Sequence, residues 1–224
     1  MEDIILYLLI LIIPAIARVN ITTTYSRYKS IKNKKSLTGF EVARRILDEN
    51  GLSDMYVVEV RGNLTDHYDS SQKVVRLSTE VFHGDSLAAA SIAAHECGHA
   101  IQDKENYSWM RTRAFLYPIV NFGTNLAYIL FFISILLQIV DMLLLSIAII
   151  LLGLIFQLVT LPVEFDASKR AQKQLTNLSL LDNSEIEGSE KVLKSAALTY
   201  VASVLSSLLN LYRYLLAYDR NRKN

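Results

Sequence analysis

The chain of 224 residues has a single cysteine, Cys97, and almost no net charge. A lone cysteine cannot form an internal disulfide, which fits a reducing face of a membrane without requiring it. The 23 basic and 22 acidic residues leave a net charge of +1, so no overall field attracts nucleic acid, and no nucleic-acid partner is expected. Apolar residues make up 51% of the chain, which is high for a soluble protein. This composition favours a membrane protein.

Charge is nearly missing from the fifty residues Ala114–Val163, in which Asp141 is the one charged side chain. Fifty helical residues extend about 75 Å, far more than one crossing of a hydrocarbon core of about 30 Å requires. The stretch therefore predicts a transmembrane helical hairpin whose two ends lie on the same side of the membrane. Its helices are expected near Phe122–Val140 and Met142–Leu161, with a tight turn at Gln138–Asp141.

A shorter apolar run, Ile4–Ala17, lies near the N-terminus and extends to Ile21 if Arg18 reaches the membrane interface. A cleaved signal peptide is the alternative, because Ala15-Ile16-Ala17 resembles a cleavage site. Signal peptides begin with basic residues, however, whereas this sequence begins Met-Glu-Asp. We therefore predict a retained membrane anchor over residues 1–21, although fourteen apolar residues are marginal for a full crossing.

His95, Glu96 and His99 form an H-E-x-x-H motif inside a run that predicts a helix. At 3.6 residues per turn the two histidines share one face, where both imidazoles can reach a single ion. A carboxylate beside them suits hydrolysis at zinc, because it can take a proton from water at the metal. The alternative is a core helix that happens to carry two histidines. Gly98 is unfavourable in a helix interior and suggests that another segment passes close to the motif.

A catalytic zinc needs a third protein ligand as well as an open position for water. Because the predicted hairpin returns the chain to the side of the motif, the segment that follows it, Pro162–Arg170, is the expected source. Glu164 is the first acid of this segment and is predicted to be the third ligand. Asp166 is the rival, about 200° away around a helix. The other two histidines, His67 and His83, lie in less regular surroundings.

Two β-like runs, Met55–Val60 and Lys73–Leu77, precede the motif. Before them, Thr38 and Glu41 have the spacing of a capping box, which predicts a helix that stops at Gly51. We predict a small antiparallel sheet, which either offers an edge to an extended peptide or only covers the motif helix. The expected fold class is α+β, mainly α, in an integral membrane protein.

A last long helix is predicted over Glu190–Tyr218. Its centre, Ala196–Tyr212, is uncharged but rich in Ser, Thr, Asn and Tyr, so spanning the membrane and packing against the hairpin are equally open. The chain then divides into four parts of one functional domain. They are the N-terminal anchor (1–21), a cytoplasmic catalytic region (22–113), the hairpin (114–163) and a part with the zinc glutamate and the long helix (164–224).

Basic residues near the predicted membrane segments assign the motif to the cytoplasm. Six basic residues and no acid lie between Arg18 and Phe40, and further basic residues flank the hairpin. Because Lys and Arg close to membrane segments are retained inside, the N-terminus is predicted to lie outside. The expected location is the cell membrane, with several crossings and a cytoplasmic active site. The flanking residues are Arg111, Arg113, Lys169, Arg170 and Lys173.

Together, these segments resemble the YugP-type family of bacterial membrane zinc metallopeptidases. The matching segments touch nearly the whole chain and are far more specific in combination than H-E-x-x-H alone. They are Thr65–Asp69, Val75–Ser78, Ala93–Gln102, Pro162–Ser168 and Ala196–Ala202. More distantly, the order of metal helix, membrane hairpin and glutamate-bearing helix resembles HtpX and the CAAX prenyl proteases, which implies a gluzincin site.

The wider group usually carries an aspartate four residues after the zinc glutamate, where it supports a ligand histidine. This chain has Ser168 at that position. The partner that supports the ligand histidines is therefore left open, and Asp103, one turn after His99, is a candidate to substitute for the aspartate.

The expected function is that of a membrane-embedded zinc endopeptidase with one catalytic Zn²⁺. Glu96 would act as general base, and a donor such as His67 or Tyr68 would stabilise the oxyanion. The alternatives are a membrane scaffold or adaptor with a structural zinc and a zinc hydrolase that acts on lipid-linked substrates. Expected partners are a peptide or membrane-protein substrate and the lipid bilayer, with a membrane partner protein or an oligomer left open. The predicted zinc ligands are His95, His99 and Glu164.

Overall fold

The structure is a computed structural model that describes residues 2–137 and 139–223. Within these residues, four long helices (α1, α5, α6 and α7) accompany three short helices and three short strands. The elements in chain order are α1 (Glu2–Lys29), α2 (Gly39–Glu49), β1 (Tyr56–Val60), β2 (His67–Asp69), β3 (Val74–Ser78), α3 (Thr79–His83), α4 (Leu87–Lys104), α5 (Ser108–Leu137), α6 (Val140–Asn177) and α7 (Asn183–Lys223).

The described residues group into two compact units, each assembled from separate stretches of chain. The apolar helical unit takes the described residues of 1–18, 111–162 and 199–224, and the mixed unit takes 19–110 and 163–198. The four consecutive parts expected from the sequence stay a prediction. The two units are not consecutive in sequence because each of the four long helices is unbroken and contributes residues to both units.

Helix α2 of the mixed unit begins at the predicted capping box. The Thr38 hydroxyl accepts a hydrogen bond from the Glu41 N–H, and the Glu41 carboxylate accepts one from the Thr38 N–H. The chain leaves the helix at Gly51, whose φ of 64° is available to glycine at little cost. One face of α2 packs against α4 in the core of the unit. Its buried residues include Val42, Ala43, Ile46 and Leu47.

The sheet of the mixed unit is not antiparallel as predicted but mixed, with the strand order β1-β3-β2. The two strands expected from the sequence, β1 and β3, lie side by side and run parallel, and β2 pairs with β3 in the antiparallel sense. Parallel neighbours need a connection of about a dozen residues, and residues 61–73 supply it. Strand β2 lies within that connection. It was missed because His67-Tyr68-Asp69 has no apolar alternation.

Helix α4 carries the H-E-x-x-H motif and packs closely on α6. Ser86 is its N-cap, and the Ser86 hydroxyl accepts a hydrogen bond from the Ala89 N–H. A Cβ atom placed on Gly98 would lie 2.5 Å from the carbonyl oxygen of Ala167 in α6. The glycine thus allows the two helix backbones to approach, which confirms that another segment passes close to the motif.

The four long helices are also those that are long and apolar enough to cross a membrane. The hairpin prediction corresponds to α5 and α6, which are longer than expected, and the predicted turn includes Gln138, which lies outside the described residues. The last helix, whose role was left open, meets the same criterion. The candidate spans are Ile4–Lys29, Ser108–Ser134, Asp141–Asn177 and Asn183–Arg220.

The apolar helical unit contains a cavity of about 350 Å³ between α5, α6 and α7. Gly153 lies on its wall, and a Cβ atom placed there would meet no atom within 4 Å. This glycine therefore borders open space, unlike Gly98. Neutral polar side chains that line the cavity are Asn121, Gln157, Ser207 and Asn210.

Candidate metal centre

His95 and His99 from α4 and Glu164 from α6 converge in the mixed unit. Nε2 of His95 lies 3.3 Å and Nε2 of His99 lies 3.6 Å from Oε2 of Glu164. One potential ligand atom from each residue lies within 4.8 Å of the other two. The Glu164 side chain is only 2% exposed. Glu164 joins the two histidines in this cluster, while its rival Asp166 does not.

The spacing and chemistry of these donors fit a zinc ion. Ligands about 2.1 Å from a tetrahedral ion lie about 3.4 Å from one another, close to the two distances between the imidazole nitrogens and the carboxylate. Two imidazoles and one carboxylate are a donor set that catalytic zinc uses, with a fourth position left for water. The three residues could therefore hold the metal that the motif implies.

Local sequence explains why the three side chains meet. The histidines are four residues apart, so one turn of α4 turns both to the same side, and their ring centroids lie 4.8 Å apart. Helix α6 passes beside this turn because Gly98 leaves room for Ala167. Glu164 lies nearly one turn before Ala167, so its carboxylate reaches the space beside the two imidazoles.

The Nδ1 atoms of the two histidines have different partners. Nδ1 of His99 lies 3.0 Å from Oε1 of Gln102, whose amide nitrogen donates to the Val163 carbonyl and to the Asp166 carboxylate, each at 2.8 Å. Nδ1 of His95 lies 3.3 Å from the hydroxyl of Ser168. Gln102 is fully buried.

Asp103, the candidate for supporting a ligand histidine, is not the partner of His99 Nδ1. Its carboxylate accepts a hydrogen bond of 2.7 Å from the Tyr68 hydroxyl and forms an ion pair with Lys73. Asp103 follows His99 by four residues, but Gln102 follows it by three and occupies Nδ1 instead. Gln102 was missed because sequence alone gave no signal beyond a polar residue one turn after a ligand.

Glu96 is buried beside the cluster without being part of it. Burial raises the pKa of its carboxyl group to about 7; the charge of His95 opposes the rise, and the neighbouring carboxylates of Glu164 and Asp66 add to it. The backbone N–H of Tyr68 in β2 donates a hydrogen bond to this carboxylate. Strand β2 thus lies directly against the acid of the motif.

The two predicted oxyanion donors, His67 and Tyr68, lie on opposite faces of β2, since neighbouring strand residues alternate. Tyr68 is partly buried and faces α4, where its hydroxyl donates to Asp103. His67 is exposed, and its Nδ1 contacts the Thr65 carbonyl at 2.8 Å. His83, the remaining histidine, is 3.2 Å from Glu59. His67, Tyr68 and His83 are not members of the metal cluster.

Comparison with known proteins identifies the family to which the chain belongs. The family model described as "Putative neutral zinc metallopeptidase" matches residues 3–219, and the chain belongs to this family. A protein of Bacillus subtilis (strain 168), named "Putative membrane protease YugP", is 43% identical over 206 residues. The alignment covers 92% of each of the two chains. No solved structure matches the chain.

Proposed function

We propose that this chain is a membrane-embedded zinc endopeptidase in which His95, His99 and Glu164 hold one zinc ion. The observation that carries the proposal is the convergence of the three donors at spacings that suit tetrahedral zinc. Membership of a zinc metallopeptidase family supports the same conclusion. The glutamate ligand on a separate helix after the motif makes the proposed site a gluzincin site.

The proposed reaction is hydrolysis of a peptide bond. Zinc bound there would act as a Lewis acid and would lower the pKa of water. Glu96 takes one proton from the attacking water and passes it to the leaving amine, so that the acid ends the cycle in its starting state. Its burial next to the histidines, outside the ligand cluster, supports this role.

A donor is needed for the negative charge that develops on the substrate carbonyl oxygen. Tyr68 is the candidate on the α4 face of β2, although its hydroxyl must turn away from Asp103 to donate elsewhere. His67 remains the second candidate. Loss of an oxyanion donor lowers kcat by about 10²–10³-fold. The matched variants Tyr68→Phe and His67→Ala, measured for kcat, decide between them.

Strand β2 supports the proposal that the substrate is an extended peptide. Within the described residues β2 pairs on one side only, with β3, and it also contacts α4. A peptide added to the other side of β2 would form main-chain hydrogen bonds next to Glu96. The name of the Bacillus subtilis relative, "Putative membrane protease YugP", supports a peptide or membrane-protein substrate.

Replacement of Glu96 by glutamine tests the enzymatic role. Zinc content and the peptides released from the same membranes are compared between wild type, Glu96→Gln and the exposed control Glu49→Gln. We expect Glu96→Gln to keep its zinc and to lose about 10²–10⁴-fold in rate, since general-base catalysis contributes that much. Undiminished hydrolysis would contradict the role of Glu96. An absence of cleavage products even in wild type would favour the scaffold with a structural zinc.

We also propose that the site faces the cytoplasm, on the three groups of basic residues around the membrane segments. Single cysteines at Lys34, Lys104 and Lys173, in a Cys97→Ser background, test this orientation. They should resist an impermeant maleimide in intact cells and react after lysis. Labelling of Lys104→Cys in intact cells would place the catalytic segment outside.

A further inference from the structure

Gln102 connects the two halves of the candidate metal centre. It is fully buried, lies one turn after His99 on α4, and donates two hydrogen bonds from its amide nitrogen to α6. One acceptor, the carbonyl of Val163, immediately precedes Glu164. The other is the carboxylate of Asp166, which was the rival for the metal.

The partners of Gln102 fix the orientation of its amide. The Val163 carbonyl can only accept a hydrogen bond, and the Asp166 carboxylate, which is paired with Arg170, is likewise an acceptor. The NH₂ group must therefore face these two oxygens, and Oε1 must face His99. Since Oε1 cannot donate, Nδ1 of His99 carries the proton. The lone pair of His99 is then on Nε2, the atom that faces Glu164.

His95 is supported in a weaker way. The Ser168 hydroxyl can donate or accept, and it lies 3.3 Å from Nδ1, so it does not fix the tautomer of His95. The amide oxygen of Gln102 is closer to its histidine, at 3.0 Å from Nδ1 of His99, and it can only accept a hydrogen bond. The two ligand histidines therefore differ: one is locked by α6 through an amide and the other rests on a rotatable hydroxyl.

The outer end of this arrangement is charged. Asp166 accepts from the Gln102 amide and from Arg170, and Arg170 also pairs with Glu105 at 2.6 Å. A hydrogen bond to an ionised carboxylate is stronger than a neutral one, and it polarises the amide through which it acts. Histidine ligands commonly donate their second N–H directly to a carboxylate or carbonyl. Here an amide stands between the carboxylate and the imidazole.

We propose that Gln102 is a positioning residue that locks the tautomer and orientation of His99 and ties the turn of α6 that carries Glu164 to it. Asp166 then acts on the metal centre only through the Gln102 amide, as a carboxylate–amide–imidazole relay. The inference rests on the proposed metal site. It also accounts for an Asp166 side chain that lies near the site without joining the ligand cluster.

Gln102→Met tests the lock, with Gln172→Met as its matched control. Gln172 is a partly buried glutamine of the mixed unit, and its amide donates to the Ile186 carbonyl at 3.1 Å, outside the relay. Zinc affinity is measured on purified full-length protein by competition with a chelator, and the unfolding temperature is measured on the metal-free forms. We expect about 10–100-fold weaker zinc binding for Gln102→Met. Gln172→Met should bind zinc as wild type does, whatever its unfolding temperature.

Asp166→Asn tests the charged end and preserves the shape of the side chain. It converts a charge-assisted hydrogen bond into a neutral one, so we expect zinc binding to weaken about fivefold. If Gln102→Met does not fold, this variant still decides the question, because unchanged zinc affinity in Asp166→Asn would overturn the relay.

The results that would contradict the positioning role of Gln102 differ from those that would contradict the metal site itself. Zinc binding by Gln102→Met that equals wild type, or that equals a loss seen in Gln172→Met, would overturn the positioning role while Glu164→Ala still loses its metal. Retention of zinc by Glu164→Ala would instead remove the metal site on which the inference rests.

Discussion

The two units of this chain differ in which side chains they bury and which they expose. In the mixed unit, polar side chains such as Gln102 and Ser91 are buried and hydrogen-bonded across helices. In the apolar helical unit, large apolar side chains such as Phe122 and Leu136 are 76% and 80% exposed. Soluble proteins rarely expose extended apolar surface. The comparison indicates one unit suited to water and another suited to lipid.

Two glycines show the same contrast in packing. Gly98 lies where a Cβ atom would meet the Ala167 carbonyl at 2.5 Å, whereas a Cβ atom on Gly153 would meet nothing within 4 Å. Gly98 lies where two helix backbones of the mixed unit come together next to the metal donors. Gly153 lies on the wall of a cavity in the apolar unit. The close packing at Gly98 is therefore found where the positions of the metal ligands must be fixed.

The largest effect is expected from removing the buried carboxylate of Glu164 in the mixed unit. Glu164→Ala should reduce bound zinc from one ion per chain to none, because two imidazoles alone leave the ion one protein ligand short. Asp166→Ala should weaken zinc binding but keep stoichiometric metal at saturating zinc. Metal analysis of the purified proteins measures both. Zinc retained by Glu164→Ala and lost by Asp166→Ala would reverse the assignment.

Substitution of one exposed aromatic residue in each unit by lysine tests whether the apolar unit lies in lipid and the mixed unit in water. Phe122 in α5 is 76% exposed and Tyr56 in β1 is 73% exposed, so the two positions are matched. Phe122→Lys should cost about 2.5–3.5 kcal/mol if its surroundings are hydrocarbon. Tyr56→Lys should change stability by less than about 0.5 kcal/mol, as is usual at a water-exposed site. The fraction of each variant that stays in carbonate-washed membranes is the measurement, and equal fractions would contradict two solvents.

Alanine at the two glycines tests the contrast in packing. Gly98→Ala should lower the free energy of unfolding by about 1–3 kcal/mol, because the added methyl group overpacks against a backbone carbonyl. Gly153→Ala has room for its methyl group and should gain up to about 1 kcal/mol from helix propensity. Thermal unfolding in the same detergent compares them. If Gly153→Ala is destabilised and Gly98→Ala is not, the packing difference between the two positions is contradicted.

Local patterns in the sequence predicted much of the candidate site. The spacing of His95 and His99 places both side chains on one face of a helix. The long uncharged stretch predicted a membrane hairpin that returns the chain to the side of the motif, where Glu164 is the first acid. Both inferences need only helix geometry and membrane thickness. The structure brings these three residues together.

Long-range pairing was beyond the sequence. The parallel pairing of β1 with β3 depends on the path of residues 61–73, in which a short polar strand gives no periodic signal. The partner of His99 depends on which of two neighbouring polar residues, Gln102 or Asp103, faces α6. That choice follows from the rotation of α4 against α6, which close packing at Gly98 sets. Periodicity within one helix does not contain this information.

The smallest effect is expected at the capping box, where local sequence sufficed. Thr38→Ala removes the hydroxyl that accepts from the Glu41 N–H and should destabilise the mixed unit by about 1 kcal/mol. Thr176→Ala is the control, since Thr176 is exposed and its hydroxyl donates to the Gln172 carbonyl one turn earlier in α6, so its change should stay within about 0.5 kcal/mol.

Hydrogen bonds from the Thr38 backbone and side chain lower the pKa of Glu41. Because the pKa is lower in the folded state, the contribution of Glu41 is present above the ordinary carboxyl pKa of about 4.3 and is lost as the pH falls below it. Chemical denaturation at neutral and acidic pH should therefore show Glu41→Gln approaching wild type in acid, and a gap that widens in acid would contradict the capping role.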